Sequence, residues 1–158
     1  IAAHSDQALR MLADASEAEH EILSAIPYQE NRVVLHTDTS LLPKGRAAWA
    51  AWNYLVPARA TPRVTVPSDM NVLQGLPAPV EFLVTLNGAE DVRPSAVLRE
   101  LTYHHPVFRR DGVAAQGRRG EINGVRRTWY CGAYWGNGFH EDGVRSAIEV
   151  ARAFGAVP

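Results

Sequence analysis

The segment that most limits what this chain can fold into lies near its C-terminus. An apolar and aromatic run, Tyr130-Cys-Gly-Ala-Tyr-Trp135, passes through Gly132, Gly136, Gly138 and Gly143. It then enters a stretch in which Val144, Ala147, Ile148, Ala151 and Phe154 recur at helical spacing, with Gly155 and Pro158 as stop signals. The pattern predicts a strand, a glycine-rich turn and an amphipathic helix. Glycines let backbone approach a ligand closely. The first amides of a helix point outward unpaired, at the positive end of its dipole, where anions are favoured. Two readings of the turn are open from these residues: a ligand cradle, or a tight connection whose Asp142 caps the helix.

The string CGAYWGNGFHEDGVRSAIEVARAFG, Cys131 to Gly155, resembles the C-terminal flavin-binding motif of FAD-dependent oxidoreductases of the flavin amine oxidase superfamily. More narrowly it resembles a bacterial branch of predicted NAD/FAD-binding proteins, often encoded beside cyclopropane-fatty-acyl-phospholipid synthases. Other segments resemble that branch in the same order: HSDQAL from His4, YQENRVVLHTDTSLLP from Tyr28, AWAAWNY from Ala48, DMNVLQGL from Asp69, FLVTLN from Phe82 and YHHPVF from Tyr103. The superfamily's Gly-x-Gly-x-x-Gly turn, which cradles the pyrophosphate, has no counterpart here. The resemblance therefore implies a C-terminal piece of a longer enzyme, with the N-terminal FAD-binding half missing and the isolated piece inactive.

The implied cofactor is FAD, and the implied substrate is a hydrophobic small molecule, in this branch an acyl chain. The cofactor contacts implied are Gly132, Tyr134, Trp135, Gly136, Phe139, His140, Asp142, Gly143 and Val144. The Gly143 and Val144 amides would face the pyrimidine edge, where reduction places negative charge. Tyr134, Trp135 and Phe139 would wall the ring system, and His140 would bond flavin or substrate. The superfamily's chain crosses between two domains, which divides this sequence into residues 1–27 and 110–158 on the cofactor side and 28–109 on the substrate side.

The residues themselves predict an α+β fold: an antiparallel or mixed sheet from the middle of the chain, flanked by helices. Ser5 would cap a helix through Leu12, and Ser16 with Glu19 forms a capping box for a second through about Ala25, ended by Pro27. Asn31–His36, Glu81–Leu86, Val97–Tyr103 and Val125–Cys131 read as strands, Trp49–Leu55 and Arg63–Val66 as extended, and Val113–Arg119 as a helical turn. Asn87-Gly88 reads as a hairpin turn. Trp52 and Tyr54 share one face of their segment, and with Trp49 they suit either the wall of a substrate pocket or a sheet core. Asp38, Asp69 and Asn71 read as turn formers.

Composition excludes several functions. Net charge is −1 and the arginine pairs are scattered, so nucleic acid is not an expected partner. One cysteine, Cys131, allows no internal disulfide and suits a reducing, cytoplasmic setting. No apolar run reaches membrane-spanning length. The histidines lack ligand spacing, so no metal site is expected. Lys44 is the only lysine beside many arginines and alanines, in keeping with a GC-rich bacterial genome. Two alternatives to the oxidoreductase stand: a non-catalytic binding or scaffold domain, and a hydrolase using Cys131 with His140 and Asp142, which lack a recognisable nucleophile motif.

Overall fold

The computed structural model describes residues 1–56 and 63–156, so the first part of the Pro57–Pro67 stretch, expected to be irregular, and Pro158, expected as a stop signal, lie outside the described residues. The fold is α+β, with a four-stranded antiparallel sheet and, among the described residues, five α-helices. The chain divides into two compact units. One comprises Ile1–Gln29 with His105–Pro158, the other Glu30–His104. These divisions lie near the 27/28 and 109/110 boundaries considered above, and which unit serves cofactor or substrate is a separate, functional question.

The discontinuous unit holds α1 (Ser5–Met11), α2 (Glu17–Ser24), α4 (Arg110–Gly117) and α5 (His140–Ala153). Its core joins Ala8, Ile22, Leu23, Ile26, Ala115, Ile122, Tyr130 and Tyr134. Helix α2 starts as its capping box predicts: Ser16 Oγ accepts from the Glu19 amide, and Glu19 Oε2 accepts from the Ser16 amide at 2.7 Å. The cap of α1 is displaced by one residue. His4 occupies the N-cap and its amide donates to Gln7 Oε1, while Ser5 is the first helical residue. Helix α4 lies close on the end of α2, because Gly112 has no Cβ to meet the Ala25 carbonyl.

The expected strand Val125–Cys131 does not form. Arg126 and Arg127 have φ of 53° and 59° in a 3-10 turn, Val125–Arg127, which a pleated strand cannot accommodate. The Arg126 guanidinium holds that turn by donating to the Asp14 carbonyl and carboxylate. The backbone is extended again from Thr128, but strand-like pairing is confined to Cys131, in a single parallel bridge with Ala2.

The continuous unit contains the sheet, in order β2-β3-β1-β4, built from β1 (Tyr28–His36), β2 (Val66–Asp69), β3 (Leu83–Leu86) and β4 (Val97–Pro106), with α3 (Met70–Gln74) after β2. Register places Val34, Thr85 and Pro67 in one row and His36, Leu83 and Asp69 in the next, and all six are buried on the same face. The segment through Trp52 and Leu55 runs antiparallel beside β2, bridging Ser68 and Thr65. Asn87-Gly88 is not a hairpin turn: β3 and β4 are not neighbours, because β1 lies between them. Asn87, at φ 52°, instead donates from its side-chain amide to Asn31 Oδ1 and the Val64 carbonyl.

Candidate functional site

The glycine-rich turn is built from its hydrogen bonds outward. The Cys131 amide donates to the Ile1 carbonyl at 3.1 Å, which sets Ile1–Ala3 parallel to the start of the turn. Gly132 follows in extended conformation, and its amide donates to Ser146 Oγ at 2.9 Å. Ser146, the buried residue of α5, donates its one hydroxyl proton to the Gly143 carbonyl at 2.8 Å, with the Gly132 carbonyl a longer alternative at 3.2 Å. A 3-10 turn, Ala133–Trp135, then leads through Gly138, at φ +90°, into α5.

Two of the glycines are required by protein packing. A Cβ on Gly132 would lie 2.5 Å from the Tyr134 ring, and one on Gly136 would lie 2.4 Å from Asp142 Oδ1. Their open sides are therefore already occupied by side chains of the chain itself. Gly143 differs, with nothing closer than 3.7 Å to its Cβ position.

Helix α5 opens four residues before Val144, which changes the donors available. The Gly143 amide donates to the Phe139 carbonyl at 3.2 Å, so it and the amide after it lie inside the helix and are not free as expected. The amides without an intrahelical acceptor belong to His140, Glu141 and Asp142, and the N-cap, Phe139, contributes no side-chain hydrogen bond. Asp142 both caps the helix, from its third position, and closes the turn: its Oδ2 accepts from the amides of Asn137 and of the N-cap Phe139 at 3.0 and 3.1 Å.

The aromatic residues of the turn separate into different environments. Tyr134 is buried in the core, its ring over Gly132, so its side chain lines no open surface. Burial pushes its phenol pKa well up, and its hydroxyl has no hydrogen-bond partner. Trp135 is half-buried, donates from Nε1 to the Tyr130 carbonyl and carries the Arg119 guanidinium over its ring. Phe139, His140 and Val144 are exposed. Cys131 Sγ faces the Ile1 carbonyl at 4.0 Å, and the Asp142 Oδ2 atom serves backbone amides, so no hydrolase triad is assembled by these contacts.

Beneath the turn, Tyr130 Oη donates to Glu19 Oε1 at 2.6 Å, with both residues buried. Burial drives the Glu19 pKa upward, but the bonds from Tyr130 and Ser16 and the charge of Arg126 outweigh it, leaving the carboxyl below its ordinary range. Burial and the Glu19 charge together push Tyr130 well up.

In the continuous unit Trp52 and Tyr54 are 63% and 62% exposed, so they do not form a sheet core. Trp49 is half-buried and lines a cleft of about 290 Å³ with Arg46, Asp69, Asn71 and Glu81 among its neighbours. As turn formers, Asp38 accepts from the Ser40 and Arg93 amides, and Asp69 caps α3 through the Val72 amide. Asn71 holds the return to β3 by bonding the Val80 carbonyl and the Phe82 amide.

No protein-family model matches this chain, and no curated protein matches it. Among the described residues no helix is long and apolar enough to cross a membrane, and no group of three or more His, Cys, Asp or Glu side chains is arranged to hold a metal ion.

Two arrangements were not anticipated from the sequence. One is the Glu19–Tyr130 pair, whose partners are 111 residues apart. The other is a buried network in which His36 Nδ1 accepts from the Asp38 amide and Nε2 therefore donates to Thr85 Oγ1 at 2.8 Å. The only signal for the latter was a histidine and an aspartate two apart at a strand end.

Proposed function

We propose that the chain is the C-terminal part of an FAD-dependent oxidoreductase of the flavin amine oxidase superfamily, acting on a hydrophobic substrate, with an acyl chain as the favoured class. The observation that carries this reading is the junction of Ala2 and Cys131. Two parallel extended segments lie side by side there, and each runs into a helix, α1 or α5. In nucleotide-binding α/β arrangements ligands gather beyond the carboxyl ends of parallel strands, where helices open. The order of the resembling segments along the chain supports the same assignment.

The opening of α5 fits the pyrimidine edge of a flavin, since the His140, Glu141 and Asp142 amides are unpaired and the neutral Phe139 stands at the cap. The chemistry supplied by bound FAD is two-electron oxidation of a substrate C–H bond. The contribution of this chain is orientation by those amides, stabilisation of negative charge by the helix dipole, and exclusion of water by the exposed Phe139 and Val144. Gly132 and Gly136 shape the turn and do not form the cradle. The phosphate-binding glycine turn belongs to a half outside these 158 residues.

The protein that contains these residues, purified intact, should show visible flavin absorbance, whereas the 158-residue chain alone should bind added FAD weakly. An intact preparation that is colourless and takes up no added FAD overturns the assignment.

A further inference from the structure

The cleft beside Trp49 in the continuous unit has no part in the flavin corner, and its polar lining is of another kind than the hydrophobic substrate wall expected of that tryptophan. Among the residues that line it is Asp69, fully buried. Asp69 Oδ1 accepts from the Val72 amide at 3.1 Å, but Oδ2 has no hydrogen-bond partner. A buried carboxylate oxygen without a donor is costly, and a donor brought in from outside would relieve it.

The wall supplies a second carboxylate and an aromatic face. Glu81, its side chain only 16% exposed, pairs with Arg46 at 2.5 Å, and the Arg46 guanidinium lies 5.1 Å from the centroid of Trp49. Arg46 thus already shows how a cation sits here, with one face on the indole and an N–H on Glu81. Its side chain is 79% exposed, and ion pairs held that far into water are weak enough to exchange. Val72 and Leu76 add apolar surface to the same cleft.

We propose that this cleft binds a small organic cation with a short apolar tail. An ammonium or guanidinium head would reach Asp69 Oδ2 and Glu81 in place of Arg46, with the tail on Val72 and Leu76. Two carboxylates repel an anionic ligand, and two are too few to replace the oxygen shell of a hard metal ion. The inference does not rest on flavin binding and survives if that reading fails.

The test is titration of n-hexylammonium into the 158-residue chain by calorimetry, with the Trp49 indole N–H, which donates to the Pro43 carbonyl, followed by NMR. Saturable binding with a shift of that resonance is expected, and hexan-1-ol, which has the same tail without the charge, should not saturate. Asp69→Asn keeps an oxygen for the Val72 amide and removes the charge, and should weaken binding by at least about tenfold. Glu81→Gln provides a second reading should Asp69→Asn fail to fold, and should also weaken binding. Equal binding of amine and alcohol, no binding of the amine, or unchanged affinity in a folded variant overturns the proposal.

Discussion

At the scale of single residues, two tyrosines four apart meet opposite fates. The hydroxyl of Tyr130 donates to a buried carboxylate, whereas that of Tyr134 is buried without a partner. Tyr130→Phe leaves Glu19 Oε1 without its donor and should cost about 1–3 kcal/mol. Tyr134→Phe removes an unsatisfied group and should be neutral or stabilising. Urea denaturation of both variants decides the matter, and equal losses would mean that the Tyr134 hydroxyl is satisfied in solution. The glycines divide in the same way. Gly132→Ala drives a methyl into the Tyr134 ring and should cost about 1–3 kcal/mol. Gly143→Ala, within α5 and with room for a methyl, should gain about 0.5–1 kcal/mol from helix propensity. The same denaturation series reads both.

At the scale of elements, the end of β1 ties stability to pH. Burial lowers the His36 pKa more than the neighbouring Asp38 charge raises it, so the folded ring stays neutral. Burial raises Asp38, but the Arg93 side chain and amide, with Ser40, outweigh it and hold the carboxyl far below its ordinary value. In each case the unfolded chain binds protons that the folded chain refuses, so stability is full above the unfolded pKa and is lost as pH falls. The melting temperature should therefore decline first as pH drops through 6.5, from His36. It should decline again below 4.5 and 3.8, from Glu19 and Asp38. His36→Gln should flatten the first decline and leave the second. A melting temperature constant between pH 7 and pH 5 would refute the assignment to His36.

Elements governed by near neighbours in the chain were legible before the structure: the Ser16–Glu19 box, β1, β3 and β4 all lie where side-chain pattern predicts. Those decided by distant partners were not. The stretch Val125–Tyr130 carries the residues of a strand, yet Asp14 draws Arg126 into a turn. Asn87-Gly88 has the chemistry of a hairpin, but β1 intervenes between β3 and β4. At the glycine-rich turn, spacing marks a helix opening, but that Tyr134 and Asp142 cover two of the glycines depends on how the turn folds back on itself. Phe139 as N-cap was equally hidden, because nothing in its chemistry marks it as one.

At the scale of the whole molecule, the sheet-bearing unit is one unbroken stretch, Glu30–His104, whereas the other is assembled from both ends of the chain. The residues that join those ends, Ala2 to Cys131 and Glu19 to Tyr130, are also the ones that shape the candidate flavin corner. On a ribosome this imposes a timetable. The inserted stretch is continuous in sequence, so it can collapse while residues 105–158 are still being made. Helices α1 and α2 must wait, their apolar faces incompletely covered, until Ala115, Ile122, Tyr130 and Tyr134 have been made. For that interval Ile22, Leu23 and Ile26 are bare enough for a chaperone to bind.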